Sequence, residues 1–400
     1  MNQIFFPFNK KQIIFAVIVL LSGNCYAALK PLAESVKEKH ELKIGFRSYN
    51  LFTQSKEIAG ESFRQALSSG TIAEINVKQL FSIVQQSPSA VTLNIPFNNR
   101  NIAIELVSVN IFTPDFTVRT SATKSEPYTP GKYYRGIIKG NPNSMAVFSF
   151  FNNEVYGVLS DSLNGNIVIG KTLRPGNDNE YIIYSDKNLL RTSSNFCKTP
   201  DSTVELNQLE RLSQLSNTTS TVKCAKLYYE IDNHIYLSNN SNSTNTTNWL
   251  TAVHNNVATL FYNDNISVAL SEVFIWTTAD PYIGVDAAEQ LALFQSTRTS
   301  FNGDVGQLVS IDENNGGLSA LTNALCTNLN YAYSDIDFGF SFVPTYSWTI
   351  EAITHEFGHL LGSPHTHSCS WPGGAIDNCS PTEGGCPPGP TPVIGGPILS

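Results

Sequence analysis

The sequence predicts a multidomain protein, with a β-rich N-terminal domain followed by an α/β domain whose sheet is mostly parallel. Residues 41–195 contain short apolar or alternating runs punctuated by Asn-Asn, Asn-Pro and Asn-Gly turns, which is typical of β-strands. Residues 198–223 are polar and lack strong periodicity. From Cys224 onward, runs with helical spacing alternate with strand-like runs, and this alternation indicates an α/β domain.

Length and charge limit the classes of function. Four hundred residues are enough for two to three domains. The 33 acidic residues outnumber the 25 basic residues and give a net charge of −8, whereas a nucleic-acid binder presents a basic patch. No apolar run reaches the ~18–20 residues that a membrane span requires. We therefore expect neither a nucleic-acid partner nor a membrane span.

The N-terminus predicts export from the cell. Lys10 and Lys11 precede the apolar run 13–21, and residues 25–27 form a small-x-small cleavage site. This layout is that of a signal peptide covering residues 1–27, so the expected location is secreted and extracellular. Lipoprotein processing at Cys25 is the alternative, although Asn24 is larger than the residue expected before such a cysteine.

The region after the signal peptide divides into three parts: a β-rich domain at 28–197, a linker at 198–223 and a second domain at 224–400. A helical stretch is expected around residues 54–68. Residues 165–172 match the phosphate-binding P-loop pattern, but Pro175 and Gly176 block the helix that such a loop requires. We interpret this segment as a β-hairpin.

The second domain begins with strand-like residues 225–237, and an Asn/Ser/Thr tract at 239–248 is expected to form an exposed loop. A helix should follow from Trp249. Further expected elements are a strand over 266–276 with a bulge near Ser271, a helix from Asp286 to Ser300 that starts with a capping box, and an edge strand within 316–321.

The spacing of the histidines indicates a metal-binding motif. Four of the seven lie between 355 and 367, in the frame His355-Glu356-x-x-His359-x-x-Gly362-x-x-His365. Residues four apart lie one above the other on a helix, so His355 and His359 can point at one ion. Gly362 can end the helix in a positive-φ conformation, which allows the chain to reverse and His365 to return.

This pattern predicts one Zn²⁺ per chain, bound by His355, His359 and His365 with a fourth position open for water. Glu356 lies about 100° around the helix from the first ligand, so it can reach that water without binding the metal. Its expected role is the general base that activates the zinc-bound water for attack on a peptide carbonyl.

Two other residues compete for the third metal position. Glu383 lies 24 residues after His359, but its surroundings contain Pro and Gly and cannot form the second helix on which such a ligand would sit. His367 is a nearer rival, although the Gly-x-x-His spacing favours His365.

The motif HEFGHLLGSPH resembles the metzincin zinc-protease signature, and the chain from about Cys224 onward resembles the reprolysin-like (adamalysin-type) catalytic domain of secreted bacterial metalloproteases. The resemblance is carried by the segments FIWTTADPY, STRTSFNGD, PTYSWTIEAITHEFGHLLGSPHTH and CSWPGGAIDNC. It implies the three histidines as ligands and Glu356 as catalyst. It also implies a protein or peptide substrate bound extended along an edge strand, for which residues 316–321 are the candidate, and a propeptide in the first half.

The end of the sequence departs from this family. Metzincins place a methionine beneath the metal site, but neither Met1 nor Met145 follows His365, and Leu399 stands where that methionine is expected. The domain is therefore expected to be C-terminally incomplete. The domain contains five cysteines from Cys224 onward. Because five is an odd number, one cysteine would lack a partner if all disulfides formed within this domain.

Cys197 allows two interpretations. Its thiolate could occupy the open position of the zinc, so that the propeptide inhibits its own enzyme. Alternatively, it could form a structural disulfide, for example with Cys224, as is common in an oxidising compartment. The sequence as a whole predicts a secreted zinc endopeptidase precursor, a zymogen with disulfide bonds. The alternative function is a non-catalytic zinc-binding adhesion or binding module derived from the protease fold.

Overall fold

The computed structural model describes residues 29–55, 61–190, 197–199, 224–312, 316–340, 343–392 and 398–399. The expected signal peptide and most of the expected linker lie outside these residues. Within the described ranges, every helix is too short or too polar to cross a bilayer.

The N-terminal half is built mainly from strands, as its sequence predicts. Its helices are α1 (Pro31–Glu41), α2 (Glu61–Arg64) and α3 (Val77–Gln86). Its strands are β1 (Arg47–Tyr49), β2 (Phe52–Gln54), β3 (Thr71–Ile75), β4 (Ala90–Phe97), β5 (Arg100–Val109), β6 (Phe112–Thr120), β7 (Lys132–Ile138), β8 (Met145–Phe150), β9 (Val155–Asp161), β10 (Gly165–Lys171) and β11 (Glu180–Ser185).

The C-terminal half alternates strands and helices. Its helices are α4 (Asn233–Ser238), α5 (Ser243–Asn263), α6 (Ala287–Thr297) and α7 (Ser347–Leu360). Its strands are β12 (Cys224–Ile231), β13 (Ser267–Ile275), β14 (Val305–Ser310), β15 (Gly317–Ser319), β16 (Tyr331–Asp335), β17 (Gly339–Phe340) and β18 (Val343–Pro344).

Two large sheets organise these elements. Ten strands of the N-terminal half form one sheet in the order β1-β4-β5-β7-β8-β9-β10-β11-β3-β2. The other sheet has the order β15-β16-β14-β12-β13-β6. Its pairings are parallel except for β15 with β16, which places β15 antiparallel at the edge. The second sheet is therefore mixed, and one of its strands comes from the N-terminal half.

The contribution of β6 is a feature that the sequence did not predict. Strand β6 pairs in parallel with β13, and Arg119 Nη1 lies 3.1 Å from the buried carboxylate of Glu272 across that pairing. A second contact between the halves is made by Asn255 of α5, which donates to the carbonyl of Phe148 in β8 at 3.1 Å. Side chains of both halves also share the largest apolar core. The two halves thus pack as one body along β6 and α5.

Several local predictions are confirmed. Strands β9 and β10 form the hairpin expected at the P-loop-like pattern, with Gly165 at φ +72° in its turn. The register of β13 shifts at Ser271, as expected for a bulge. Asp286 caps α6 by accepting from the backbone N–H of Glu289 at 2.9 Å.

Other local predictions are wrong. The tract at 239–248 is not an exposed loop, because α5 begins at Ser243 and Thr246, Thr247 and Asn248 are buried. The threonine hydroxyls donate to the carbonyls of Asn242 and Ser243 four residues earlier, which satisfies them inside the protein. The helix expected at 54–68 is reduced to the four residues of α2 among those described, and β2 runs to Gln54. The strand expected at 225–237 ends at Ile231, where α4 follows.

Candidate metal centre

Helix α7 carries the centre of the histidine motif. Its apolar residues Ile350, Ile353, Phe357 and Leu360 are buried and hold it against the second sheet and α5. The helix ends where Gly362 takes φ +110°, with the Gly362 N–H bonded to the carbonyl of His359 at 2.9 Å. Such a reversal needs a residue that tolerates positive φ, and it turns the chain back toward the helix as expected.

The first two histidines of the motif meet on one face of α7. Their Nε2 atoms are 3.0 Å apart, as the spacing of four residues predicts. His355 Nδ1 lies 2.7 Å from the carbonyl oxygen of Ile398, and His359 Nδ1 lies 2.8 Å from that of Ser363. A carbonyl only accepts, so each Nδ1 carries the proton and each Nε2 presents a lone pair.

Burial keeps these imidazoles neutral. It lowers the pKa of His355 to about 4, and it lowers the pKa of His359 to about 2, where the neighbouring imidazoles add to the effect. A neutral imidazole is the form that binds a metal ion. Two of the predicted ligands are therefore in a binding-competent protonation state.

His365 completes the group after the chain reverses. Its ring centroid lies 4.6 Å from that of His359 and 5.4 Å from that of His355. His367 stacks on His365 at 4.9 Å but belongs to a separate group, formed with His365 and Glu383. The structure thus brings together all three predicted ligands, and it places both competing residues beside the third one.

Cys197 supplies a fourth donor. Ligand atoms of Cys197, His355, His359 and His365 all lie within 4.8 Å of one another, and Cys197 Sγ is 3.5 Å from His359 Nε2. Burial, followed by the nearby charge of Glu356, raises the pKa of the Cys197 thiol well above its usual range. A bound cation opposes that effect, because its charge favours the thiolate.

The segment around Cys197 lies along the edge of the second sheet. Cys197 forms an isolated parallel bridge with Gly317 of β15, and the Lys198 N–H donates to the carbonyl of Gly317 at 2.9 Å. The Ser319 N–H donates to the Thr199 hydroxyl at 2.7 Å. Residues 197–199 therefore lie along β15, the edge strand that is expected to bind a substrate.

Glu356 is buried beside the four donors. Thr199 Oγ1 donates to its Oε2 at 3.1 Å, and Ser319 Oγ donates to the same oxygen at 2.8 Å. Burial raises the pKa of Glu356 to about 7, against the lowering effect of the hydrogen bonds from Ser319, Cys197 and Thr199. Gly317 leaves the space for this carboxylate, since a Cβ there would collide with Oε1. Sequence reasoning missed Thr199 and Ser319, because neither stands in a recognisable motif.

Leu399 lies against the underside of α7. Its side chain is 3.1–3.5 Å from the position that a Cβ on Gly358 would take, and its carbonyl accepts from the Thr366 N–H at 2.8 Å. The neighbouring Ile398 carbonyl binds His355, as described above. This is the position in which the resemblance expected a methionine, and a leucine of similar volume fills it.

A cleft of about 260 Å³ opens beside the histidines. Ionisable, polar and small side chains line it, together with one indole: Cys197, Gly317, Trp348, Glu351, Ala352, His355, Glu356, His365, His367, Ser380 and Glu383.

The donor set fits zinc. Zinc binds imidazole nitrogen and thiolate sulfur in tetrahedral sites, and two nitrogens bound ~2.0–2.1 Å from one ion stand roughly 3.3 Å apart. The observed 3.0 Å between the Nε2 atoms of His355 and His359 is close to that spacing. Hard cations that prefer oxygen ligands fit this set poorly.

The cysteines of the described residues pair only once. Cys369 and Cys386 form a disulfide, whereas Cys197, Cys224, Cys326 and Cys379 are free thiols. The alternative of a disulfide between Cys197 and Cys224 is thus not what the structure contains.

Residues 220–393 match the model of a reprolysin-type family described as metallo-peptidase family M12. The chain is 27% identical over 286 residues to two Naja atra proteins, the zinc metalloproteinase-disintegrin-like proteins atrase-B and kaouthiagin-like. These alignments cover 64% of the chain and 46% of each relative, so the chain spans just under half their length.

A metalloproteinase-II structure from Bacteroides fragilis is also similar, with 12% identity and a TM-score of 0.41 over 72% of this chain and 85% of that one.

Proposed function

Residues 220–393 belong to metallopeptidase family M12, and from that premise we propose that the protein is a secreted zinc-dependent endopeptidase precursor. The observation that carries the proposal is the convergence of His355, His359 and His365 on one point beside the buried carboxylate of Glu356. In this proposal the three imidazoles hold one Zn²⁺. When bound, the zinc supplies positive charge that acidifies a water molecule and polarises the substrate carbonyl.

Glu356 acts as the general base. Its carboxylate takes the proton of the attacking water and then gives it to the leaving amine of the substrate. A pKa near 7, caused by burial, suits both transfers at neutral pH, because the group can accept and release the proton. The Ser319 hydroxyl donates to Oε2 of Glu356 and so holds the carboxylate in one orientation.

The substrate is a protein or peptide bound in an extended conformation along β15. The edge strand already bonds one extended segment, since Gly317 and Ser319 contact residues 197–199 through their backbone atoms. β-Augmentation of this kind provides affinity through main-chain hydrogen bonds, while pockets for alternate side chains provide specificity.

The same segment makes the precursor latent. Cys197 Sγ lies among the imidazole donors, and the Thr199 hydroxyl donates to the carboxylate of Glu356, so both would hinder the approach of a water molecule. Residues 28–197 would thus serve as an inhibitory propeptide, and cleavage between 198 and 223 would release the inhibition. Secretion is supported by the signal-like N-terminus and by the disulfide between Cys369 and Cys386.

Latency is tested with a Cys197→Ser variant of the full chain, assayed on casein with and without a chelator. A serine hydroxyl binds zinc far more weakly than a thiolate, so the variant should cleave casein at least about tenfold faster than the parent. This ratio corresponds to a loss of about 1.4 kcal/mol of binding free energy between the inhibitory segment and the metal. Cys224→Ser is the matched control, since that free thiol is exposed and lies outside the centre. Equal rates for the parent and Cys197→Ser, with both active, would refute the inhibitory role.

The general base is tested by adding Glu356→Ala to the active variant. The rate should fall by about 10²–10⁴ or more while one zinc per chain stays bound, because Glu356 orients water and does not bind the metal. Loss of zinc would show that Glu356 is a ligand instead. Zinc binding by Cys197→Ser without any cleavage, even after proteolysis of the linker, would favour a non-catalytic zinc-binding module.

A further inference from the structure

We propose that Glu383 is a positioning residue for His365, and that the Cys369–Cys386 disulfide holds Glu383 in place. The inference rests on the proposed function only in taking the histidine group as a metal site. It assigns a role to a loop that neither the motif nor the proposed mechanism uses.

The carboxylate of Glu383 spans two imidazoles. Its Oε2 lies 3.2 Å from His365 Nδ1, and its Oε1 lies 3.3 Å from His367 Nε2. The two rings are stacked at an interplanar angle of 11°, so that one carboxylate reaches both edges. A carboxylate accepts from the N–H of His365 and fixes the tautomer that has its proton on Nδ1. The lone pair that binds a metal is then on Nε2.

His365 is held differently from the other two ligands. The Nδ1 atoms of His355 and His359 face the carbonyls of Ile398 and Ser363, which carry only partial charges. Glu383 presents a carboxylate to His365, and such a partner raises the basicity of a metal-binding imidazole more than a carbonyl does. His365 also lies beyond the helix, where its backbone carbonyl accepts from the Ser368 N–H at 3.1 Å and from the Trp371 indole N–H at 2.7 Å, whereas the described hydrogen bond of its ring is made with Glu383. The third ligand therefore depends most on a side chain for its orientation.

The loop that carries Glu383 is fastened to the chain beside His365. The Cys369 N–H donates to the carbonyl of Glu383 at 2.8 Å, and the Glu383 N–H donates to the carbonyl of His367 at 3.2 Å. The disulfide then joins Cys369 to Cys386, three positions after Glu383. Gly384 turns the chain at φ +102°, with Cys369 Cβ only 3.1 Å from where its own Cβ would be. The backbone hydrogen bonds and the disulfide together fix the distance between the Glu383 carboxylate and the ring of His365.

The same donors could instead hold a second cation, because His365, His367 and Glu383 lie within 4.8 Å of one another. The carboxylate oxygens, however, stand at hydrogen-bond distance from both imidazoles. This arrangement favours positioning, and a second ion becomes an outcome of the test.

The test measures the zinc affinity of the full chain by competition with a chromophoric chelator. Glu383→Gln keeps the shape but removes the charge, and it should weaken zinc binding by about 10–100-fold, the effect of losing an outer partner of a metal ligand. It should also change the visible absorption of the Co²⁺-substituted protein, which reports ligand geometry. Glu351→Gln is the matched control, because the Glu351 carboxylate lines the same cleft but makes no hydrogen bond or ion pair with His355, His359 or His365 among the described residues.

The role of the disulfide has its own test. A Cys369→Ser/Cys386→Ser variant should weaken zinc binding in the same direction, whereas Cys326→Ser, which removes a free exposed thiol, should leave it unchanged. Adding Glu383→Gln to the double variant should cause little further loss, because residues that act through one another are not additive. Full additivity would separate the disulfide from Glu383 and overturn that half of the proposal.

Three results would overturn the positioning role itself. These are unchanged zinc affinity in Glu383→Gln, an equal loss in Glu351→Gln, and two zinc ions per parent chain of which Glu383→Gln loses one. If Glu383→Gln unfolds, Glu383→Asp keeps the charge but shortens its reach, and it must still weaken zinc binding. Since these readouts do not use peptide hydrolysis, a protein that binds zinc without cleaving peptides would refute the proposed function and leave this inference intact.

Discussion

Helices α5 and α7 both cross the largest core and both carry buried histidines, yet of the two it is α7 that contributes to the candidate metal centre. In α5, His254 Nδ1 lies 3.1 Å from the hydroxyl of Tyr229, and the ring is enclosed by the core. In α7, His355 and His359 face each other and a third imidazole joins them. Burial lowers the pKa of all three helix histidines, so a perturbed pKa does not distinguish the two cases. The difference is convergence on one point, which depends on spacing and on the chain reversal at Gly362.

The largest expected effect comes from removing one imidazole from each helix. His359→Ala should weaken zinc binding by more than the ~100-fold that an outer partner contributes, because it removes one of the three proposed direct ligands. His254→Gln should leave zinc affinity within about twofold of the parent, because its ring does not face the centre. Chelator competition on both variants makes the measurement. Comparable losses from the two substitutions would abolish the distinction between the helices.

A smaller effect should follow from crowding the carboxylate that α7 presents beside its histidines. A methyl group in Gly317→Ala would collide with Glu356, and the shift should lower kcat/KM for a peptide in the Cys197→Ser background by about 100-fold, since a misplacement of ~1 Å can cost that much. Zinc should remain bound. Gly45→Ala is the control, because nothing lies within 4 Å of the added Cβ there. Unimpaired hydrolysis by Gly317→Ala would mean that the carboxylate can act from another position.

The smallest expected effect is the contribution of His254 to the pH dependence of the free energy of unfolding. Burial lowers the pKa of His254 to about 3, below its usual 6.5. Between these two pH values the imidazole is therefore protonated in the unfolded chain but neutral in the folded protein. The folded state should therefore lose up to about 1.4 kcal/mol per pH unit as the pH falls below 6.5 toward 3. His254→Gln should remove this part of the slope in urea unfolding between pH 6.5 and 5. Parallel slopes for the parent and the variant would show that His254 is not the group responsible.

The sequence predicted the elements that depend on local spacing. The i, i+4 histidines, the glycine that ends α7 and the capped start of α6 need only residues close in the chain, and all are present as expected. The hairpin near Gly165 and the bulge at Ser271 have the same origin. Such features follow from backbone conformations that a few residues favour on their own.

The elements that the sequence did not predict depend on distant partners. The polar start of α5 is buried because Asn242 caps it and the N-terminal half covers it, which outweighs the preference of Asn and Thr for loops. Glu383 was correctly expected outside a helix, but its contacts with the imidazoles of His365 and His367 join residues 16 to 18 positions apart, and no motif indicates them. Thr199 reaches Glu356 across a sequence separation of 157 residues, which no spacing rule can indicate.

Strand β6 also has a consequence for how the protein assembles. The contact between Arg119 and Glu272 closes a loop of 153 residues, so this edge of the second sheet is among the most non-local pairings in the chain. Loop closure of this kind is entropically costly and slows folding, whereas the hairpins of the N-terminal half form from neighbouring strands. During synthesis the N-terminal half emerges first. The edge of its strand β6 therefore stays unpaired until β13 has been synthesised. The register break between β6 and β13 then matters once more. Residues 113–116 of β6 lie between the paired positions Phe112 and Thr117, so this edge is bent, and a bent edge resists pairing with other chains during that interval.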